Sequence, residues 1–495
     1  DRGKLTIRER IDGLIDPDSF KERGLFAGTG EYDESGQLTG FHPSGYVMGQ
    51  ARIGGRRVVV GGGDYTARPP SGSAGVRQGG GGPVRGKGGQ DERMALELKL
   101  PMIRLIDGFG ADIRATASMG RTYIPELPGW PVASALMSEV PVVSAALGAV
   151  AGLPAAMVAI CHFSIMVKEM SQVFAAGPPV VERGVGRPPT KEELGGYLVH
   201  ARKSGLVDNE AEDEADLFRQ IRRFLSYLPT SVYQIPPVEP SDDPTDRREE
   251  ALLSLVPRQR NRPHDVREMI DLIVDRDSAF EMARYYGSGQ VTMFARIGGR
   301  PVGILANDPL RTGGTMDADG AQKLEKFVDL CDTFHLPVIN FVDQPGFMIG
   351  VAAESAGTLR QGARALCAMD AATVPWATVI VRKMYGVAGG GHQPFGRYVF
   401  RVAWPSAEWG SIPIEGGVTA AYRREIEAAD DPDAKRDEIE ARMVSLRSPW
   451  AAAEAFNAEE LIDPRDTRPV LADWLEMAYD LLPADVGRKT RPMRP

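Results

Sequence analysis

The sequence ARIGGR at residues 51–56 returns unchanged at residues 295–300. Two further blocks recur in the same order along the chain. They are LPMIRLID at residues 100–107, which returns as LPVINFVD at residues 336–343, and the Val-Pro pair at residues 140–141, which returns at residues 374–375. Each copy of the Val-Pro pair leads to a glycine, Gly152 and then Gly386. Three matches in one order indicate an internal duplication, so the sequence predicts two homologous domains.

The boundary between the two domains is predicted within residues 235–265, where proline and charged residues cluster. Such a composition is typical of an exposed connection between domains. We therefore assign residues 1–240 to an N-terminal domain and residues 241–495 to a C-terminal domain. The length of 495 residues also favours more than one hydrophobic core.

Short valine-rich segments bounded by Pro and Gly alternate with amphipathic segments in each half. The clearest amphipathic segment is residues 323–334, in which helical spacing places Leu324, Phe327, Val328 and Cys331 on one face. This helix runs directly into an apolar strand. The alternation predicts an α/β fold with layered sheets and buried parallel strands.

Each half has a glycine-rich turn after a valine-rich strand and before a helix, at residues 148–154 and 385–391. Small residues let a substrate approach the backbone closely, and the N–H groups that begin a helix have no partner within it. Such N–H groups suit an oxyanion, for example a thioester enolate. A tight turn that only permits packing is the alternative for either turn alone. The equivalent placement in both halves favours the functional interpretation.

Composition and motifs argue against several other classes of protein. The net charge of −9 gives no basis for a nucleic-acid partner. The three cysteines form no CxxC pair, which favours a reducing cytoplasm without a structural zinc or disulfide framework. No signal peptide or membrane span is predicted. None of the six histidines lies in an HExxH or GxSxG context, no P-loop is present, and no metal site is predicted.

Blocks along nearly the whole chain resemble the carboxyltransferase β-subunit family of acyl-CoA carboxylases, which act on propionyl-CoA, methylcrotonyl-CoA and related thioesters. These blocks are RGKLT at residues 2–6, AGPPVV at 176–181, ELGG at 193–196, FVDQPGF at 341–347, RKMYG at 382–386, AWP at 403–405 and DPRDTR at 463–468. Chance agreement over so many blocks is negligible. The sequence is therefore identified as a member of this biotin-dependent family.

The resemblance implies a crotonase-like fold in each half, with acyl-CoA bound mainly by the first domain and biotin mainly by the second. It also implies an active site between the first domain of one subunit and the second domain of its partner, usually in a hexamer that is either homo- or hetero-oligomeric. The chain has no Ala-Met-Lys-Met biotinylation motif. Biotin is therefore expected on a separate biotin carboxylase or biotin carboxyl carrier subunit.

The resemblance further assigns candidate residues to the site. The catalytic donors are expected to be the N–H groups of Gly152, Leu153, Val387 and Ala388. The acyl-CoA is expected to contact Gly108, Phe109, Gly110, Ala111 and Ala151. Biotin is expected to contact Pro345, Gly346, Phe347, Gly386 and Gly389. Which turn serves the thioester enolate and which serves the biotin carbonyl stays open.

The sequence departs from the family at both turns. The first family turn reads Ala-Gly-Gly-Ala, whereas here Leu153 and Pro154 follow Gly152. Leu153 keeps an N–H, but Pro154 has none to donate. The second family turn reads Gly-Gly-Ala and then an aromatic residue, whereas here Val387 and Gly389 flank Ala388. These changes predict that the wall which selects the acyl group is rebuilt.

Three further features have two interpretations each. His392 is either a site residue or a loop histidine. Asp343, at the end of a buried strand, is expected to cap the following turn rather than act as a base. The glycine-rich residues 61–90 form either a loop that approaches CoA phosphates or a surface loop without a ligand.

Three functions are compatible with these patterns. The first is carboxyl transfer from carboxybiotin to the α or vinylogous γ carbon of an acyl-CoA. The second is the reverse chemistry, in an acyl-CoA decarboxylase or transcarboxylase subunit with the same fold. The third is a non-catalytic scaffold subunit of a hetero-oligomeric carboxylase, which the altered turns at Leu153, Pro154 and Val387 motivate.

Overall fold

The computed structural model of this chain describes residues 4–63, 87–109, 120–122, 124, 127, 129–259, 261–490 and 493. The described residues divide into two compact units. Unit 1 comprises the residues up to Gln234 together with a C-terminal segment that begins at Gly487, and unit 2 comprises Ile235–Val486. Each unit is built around its own mixed sheet, which has eight strands among the described residues.

Unit 1 begins with a short helix whose Thr6 and Glu9 form a capping box. Its strands are β1 (Lys21–Glu22), β2 (Gly28–Tyr32), β3 (Leu38–Pro43), β4 (Tyr46–Ile53), β5 (Arg56–Gly63), β6 (Met102–Phe109), β7 (Val142–Ala151), β8 (Phe163–Val167), β9 (Gln172–Phe174) and β10 (Asn209–Ala211). Its helices are α1 (Ile7–Leu14), α2 (Gln90–Leu98), α3 (Trp130–Leu136), α4 (Leu153–Ala159), α5 (Pro178–Val185), α6 (Lys191–Gly195), α7 (Tyr197–His200) and α8 (Glu214–Tyr227).

Unit 2 repeats this plan and adds helices near its C-terminal end. Its strands are β11 (Phe280–Met282), β12 (Gln290–Ile297), β13 (Arg300–Asn307), β14 (Val338–Gln344), β15 (Trp376–Tyr385), β16 (Phe400–Ala403), β17 (Glu408–Gly410) and β18 (Glu460–Leu461). Its helices are α9 (Leu252–Leu255), α10 (Val266–Ile273), α11 (Ala318–Thr333), α12 (Val351–Ser355), α13 (Thr358–Ala371), α14 (Gly386–Gly390), α15 (Ile414–Ala421), α16 (Arg423–Glu427), α17 (Pro432–Ser445), α18 (Pro449–Glu454) and α19 (Thr467–Leu481).

The two sheets have the same strand order, which confirms the predicted duplicated α/β fold. The order is β1-β4-β5-β6-β7-β8-β10 with β9 beside β7 in unit 1, and β11-β12-β13-β14-β15-β16-β18 with β17 beside β15 in unit 2. In both sheets the first three strands pair antiparallel and the remaining pairs are parallel. The valine-rich strands are buried on both faces, as parallel strands covered by helices require.

The repeated ARIGGR blocks form equivalent hairpin turns, between β4 and β5 and between β12 and β13. Both glycines of each block have positive φ, 56° and 76° in the first copy and 57° and 76° in the second, as a tight two-residue hairpin requires. A carboxylate just after the preceding helix accepts both glycine N–H groups: Asp16 in unit 1, at 2.9 and 2.8 Å, and Asp275 in unit 2, at 2.9 and 2.8 Å. This shared network explains why the two glycines of the block recur.

The chain divides into the two units at the start of the connection predicted at residues 235–265. The division falls after Gln234, and the C-terminal segment from Gly487 belongs to unit 1. The Gly487 N–H donates to the Val232 carbonyl at 2.7 Å, and Arg488 forms an ion pair with the buried Glu139 of unit 1. Local composition located the connection, but it gave no sign of these long-range contacts.

The helix predicted at residues 323–334 is longer than expected, because α11 begins at Ala318. Asp317 caps it by accepting the Gly320 N–H at 2.7 Å. Lys323 lies on its buried side and donates from Nζ to the carbonyls of Tyr286 and Gln290, at 3.1 and 2.7 Å. Burial lowers the pKa of Lys323 to about 8.

This buried lysine predicts a pH dependence of stability. Between the folded pKa of about 8 and the ordinary value of 10.5, the unfolded chain binds more protons than the folded chain, so stability rises with pH across that window. We expect the free energy of unfolding of the parent chain to rise by about 3 kcal/mol relative to Lys323→Met. Urea denaturation of both proteins at several pH values measures this difference, and parallel pH curves would contradict it.

Candidate functional site

The first candidate turn connects β7 to α4 in unit 1. The predicted turn at residues 148–154 is too long, because β7 continues to Ala151 and only Gly152 separates strand from helix. Gly152 has φ 71° and ψ −135°, a conformation that glycine alone adopts readily. The Gly152 carbonyl accepts the N–H groups of Ala155 and Ala156 at 3.0 and 3.2 Å. Of the N–H groups at the start of α4, those of Gly152 and Leu153 have no acceptor within the helix, and Pro154 has none to donate.

The second candidate turn connects β15 to α14 in unit 2. Gly386 follows the last strand residue directly and has φ 61°. The N–H groups of Val387 and Ala388 lie in the first turn of α14, where a helix offers no acceptor of its own. Gly389 has no room for a side chain, because an added Cβ would lie 2.7 Å from the Met384 carbonyl carbon. The helix therefore packs closely behind the strand that carries it.

The structure brings three of the predicted acyl-CoA residues together. Gly108 and Phe109, at the end of β6, pair in parallel with Val150 and Ala151, directly before the Gly152 turn. Gly108 has φ 151°, a positive value that glycine adopts more readily than other residues. Gly110 and Ala111, which were also predicted to contact acyl-CoA, lie outside the described residues.

The predicted biotin residues also converge in unit 2, at the ends of two adjacent parallel strands. Residues 345–347 follow β14, residues 386–389 follow β15, and Gln344 pairs with Met384 between them. The Gly346 carbonyl accepts the Met316 N–H at 3.0 Å, and the Gly346 N–H donates to the Gln344 side chain at 2.9 Å. The Phe347 ring packs against Gly362 of α13, where an added Cβ would lie 2.4 Å from the ring.

A carboxylate lies at an equivalent irregularity of each sheet, just before the glycine turns. The register of β6 and β7 shifts at Asp107, and that of β14 and β15 shifts at Asp343. Arg10 donates to Asp107 at 3.1 Å and also pairs with Glu214. Arg382 donates to both oxygens of Asp343, at 2.8 to 3.2 Å. Asp343 is thus committed to a buried ion pair and to the Lys383 N–H, which agrees with a structural role.

A polar side chain in the repeated strand holds the far end of each short helix. In unit 1, Arg104 of β6 donates to the carbonyl of Ile160 at 2.6 Å, at the C-terminal end of α4, and pairs with Glu92. In unit 2, the equivalent residue Asn340 of β14 donates to the His392 carbonyl at 2.5 Å, just beyond α14. Both side chains are buried. Each holds a terminal carbonyl that a helix leaves without a partner.

Comparison with known proteins decides the family. A family model described as the carboxyl transferase domain matches residues 1–491.

The chain belongs to the carboxyl transferase family of biotin-dependent carboxylases and transcarboxylases.

Two characterised relatives of this carboxyl transferase align over most of both chains. The propionyl-CoA carboxylase carboxyltransferase subunit of Haloferax mediterranei is 35% identical, over 96% of this chain and 91% of the relative. The methylmalonyl-CoA decarboxylase subunit alpha of Veillonella parvula is 33% identical, over 96% of this chain and 90% of the relative.

A solved structure confirms the crotonase-like fold of this carboxyl transferase. The transcarboxylase 12S structure, described as a hexamer with methylmalonyl-CoA and methylmalonic acid bound, has a TM-score of 0.83 at 31% identity. The alignment covers 99% of this chain and 91% of that chain.

Sequence reasoning did not single out the buried polar residues that support the turns. Among them are Arg10, Arg104, Asn340, Gln344 and Arg382. A signal was available for two of them, because Arg104 and Asn340 occupy the same position in the repeated strand, in the middle of otherwise apolar residues. A polar residue at that position of a buried strand needs a partner. Which partner it has follows only from the three-dimensional structure.

His200 lies between the Val173 carbonyl and the Ser204 hydroxyl, at 2.6 and 2.9 Å, and burial lowers its pKa. This agrees with a structural hydrogen-bonding role. Within the described ranges, no group of three His, Cys, Asp or Glu side chains is arranged to hold a metal ion. No helix of the described residues has the length and apolar character needed to cross a membrane.

The buried Arg382–Asp343 ion pair gives a stability prediction for unit 2. Arg382→Met leaves the Asp343 carboxylate buried without its cation, so we expect the free energy of unfolding to fall by about 3–5 kcal/mol. The double variant Arg382→Met/Asp343→Leu removes both charges and is expected to recover most of that loss. Chemical denaturation of the parent, the two single variants and the double variant measures the coupling. Additive effects of the two single changes would show that the pair is not coupled.

Proposed function

We propose that this chain is a carboxyltransferase subunit that moves a carboxyl group from carboxybiotin to the α or vinylogous γ carbon of an acyl-CoA. The observation that carries the proposal is the strand–glycine–helix junction that occurs at the same place in both units. Each junction presents two backbone N–H groups at the start of a short helix. Two such groups are what carboxyl transfer needs, because negative charge develops on a thioester oxygen and on the urea oxygen of biotin.

We assign the Gly152 and Leu153 N–H groups to the thioester oxygen, and the Val387 and Ala388 N–H groups to the biotin carbonyl. When bound, carboxybiotin supplies the carbon dioxide and the base that removes the α-proton. The chain itself stabilises the enolate oxygen, orients the two reactants and supplies no catalytic side-chain base. Fixed backbone donors of this kind each contribute about 100-fold or more to the rate.

The altered turns are compatible with this role. Leu153 is 44% exposed and Val387 is 65% exposed, so neither side chain is packed into its own unit. Both residues keep the N–H that the mechanism needs. We infer that these two side chains shape the entrance for the acyl group while the donors stay in place. Because both turns keep the N–H groups that the transfer needs, we favour catalysis over the scaffold alternative.

The opposite direction of transfer is a second candidate. The Veillonella parvula relative is named as a decarboxylase subunit and aligns almost as well as the propionyl-CoA carboxylase subunit. The same donors would stabilise the same enolate in either direction. We therefore expect the partner subunits to decide the direction.

The proposed partners follow from the same chemistry. Biotin arrives on a biotin carboxylase or biotin carboxyl carrier subunit, and the acyl-CoA side of the reaction lies on unit 1 with the biotin side on unit 2. A hexamer is proposed because the transcarboxylase 12S relative is described as one. A cytoplasmic location is proposed from the cysteine content. Propionyl-CoA is the first substrate to test, because it appears in the names of several relatives.

The proposed function is tested by incubating the purified chain with its biotinylated partner, labelled carboxybiotin and a panel of CoA thioesters. Label that appears in a carboxylated acyl-CoA supports the proposal, and label that leaves a carboxylated acyl-CoA for biotin identifies the reverse reaction. Absence of transfer with every thioester, while a sister subunit does transfer, would establish the scaffold alternative.

The donor at Leu153 can be removed without disturbing the helix. Leu153 is the first residue of α4, where proline is favoured, and it is partly exposed. Leu153→Pro removes only the N–H and the leucine side chain, so we expect kcat/KM to fall about 100-fold relative to Leu153→Ala. Leu153→Ala removes the same side chain but keeps the N–H, so it serves as the matched control and the comparison of the two variants isolates the donor. Equal rates for both variants would contradict the assigned donor.

A further inference from the structure

His392 is a buried histidine that the proposed mechanism does not use. It lies just beyond α14, two residues after the last residue of that helix, and is 0% exposed. Its Nε2 lies 3.2 Å from Asn307 Nδ2 and 3.1 Å from Gln344 Nε2. It is therefore placed between the turn that carries the Val387 and Ala388 donors and the strand end that leads to Gly346.

The orientation of both carboxamides is fixed by backbone N–H groups. Asn307 Oδ1 accepts the Asp343 N–H at 2.9 Å, and Gln344 Oε1 accepts the Gly346 N–H at 2.9 Å. A backbone N–H cannot donate to an NH2 group, so the accepting atom of each carboxamide is its oxygen and the opposite atom is the NH2 group. Both NH2 groups face His392 Nε2. That nitrogen must accept both hydrogen bonds, and the ring proton must be on Nδ1.

The imidazole is thus a neutral acceptor that joins two parts of the site. The imidazole is linked through the Gln344 side chain to the Gly346 N–H. The backbone carbonyl of His392 accepts a hydrogen bond from the Asn340 side chain at 2.5 Å. A protonated ring would direct an Nε2–H at two donors. Burial lowers the pKa of His392 to about 4, which keeps the ring neutral at physiological pH.

The other ring nitrogen is buried without a partner. Across the described part of the chain, no hydrogen-bond acceptor lies within reach of His392 Nδ1. An unpaired buried donor costs about 1–3 kcal/mol. A residue that only filled space would avoid this cost if it were apolar, so the histidine is better explained by what its Nε2 accepts.

We infer that His392 is a positioning residue. It holds the Gly346 turn in place relative to the Val387 and Ala388 N–H donors, and so positions the biotin substrate for the transfer. This inference rests on the proposed function, and it adds a specific residue and a route of action. His392 acts through Gln344 and Asn307 and touches neither reactant. In unit 1 the carbonyl held in the equivalent way belongs to Ile160, whose side chain offers no hydrogen-bond acceptor.

This positioning role predicts that a change at His392 alters the KM for the biotin substrate but not the KM for acyl-CoA. His392→Phe fills the space but offers no acceptor, so the Gln344 NH2 group loses this acceptor, while the Asn307 NH2 group keeps its hydrogen bond to Gln290 at 2.8 Å. We expect the KM for the biotin substrate to rise about tenfold, the equivalent of one unpaired buried donor, while the KM for acyl-CoA stays within about twofold. His392→Gln offers a carbonyl oxygen as acceptor and is expected to restore most of the parent KM for biotin.

A second variant and a matched control separate positioning from general stability. Gln344→Met cuts the link to Gly346 but leaves His392 in place, and it is expected to raise the same KM. His162→Gln alters an equally buried histidine of unit 1, and it is expected to lower stability without a selective rise in the KM for biotin. Equal rises in both KM values for His392→Phe, or no rise for Gln344→Met, would overturn the inference.

Hydrogen–deuterium exchange in the full chain tests the link without any turnover. The peptide that contains residues 344–350 is expected to exchange faster in His392→Phe than in the parent, and at the parent rate in His392→Gln. If the parent chain transfers no carboxyl group but this exchange pattern is found, the proposed function fails and the link stands. If the parent chain is active and the exchange is unchanged, the inference about His392 fails and the function stands.

Discussion

The structure depends on holding backbone N–H groups in place where regular secondary structure gives them no partner. A helix leaves its first N–H groups without acceptors, and here two short helices begin directly at the ends of buried parallel strands. The helices are too short to be stable alone. Their position is set from behind by buried polar side chains, which hold the far carbonyls, and by ion pairs at the irregular strand ends. Without these supports the donors would have no defined direction.

Duplication preserved this architecture but not the groups that support it. Both units have the same strand order, the same hairpin network and a carboxylate at the same irregularity. The cation that pairs with that carboxylate comes from α1 in unit 1 and from the neighbouring strand in unit 2. Unit 1 has Gly148 where unit 2 has the arginine, and an added Cβ at Gly148 would lie 2.0 Å from the carboxylate. The need to neutralise a buried carboxylate at the strand end is therefore met by a different cation in each unit.

Much of the fold and part of the site could be predicted from the sequence. The strand–glycine–helix order at Gly152 and Gly386 is local, because glycine conformation and helix starts depend on neighbouring residues. The C-terminal segment from Gly487 belongs to unit 1 through its contacts with Val232 and Glu139, which join distant parts of the chain and leave no sign in local composition. The sequence left two possible roles for His392, because its role depends on hydrogen bonds with Gln344 and Asn307, which are far from it in sequence.

The sequence by itself determined the duplication, the family and the position of the two glycine turns, because repeated blocks and local backbone preferences are written along the chain. Only the tertiary structure decided which side chains support those turns. A buried Arg104, Asn340 or His392 must be hydrogen-bonded, yet the sequence does not say to what. The partner is whichever group the strand register and the packing of distant helices bring within about 3 Å, and that proximity exists only in the folded chain.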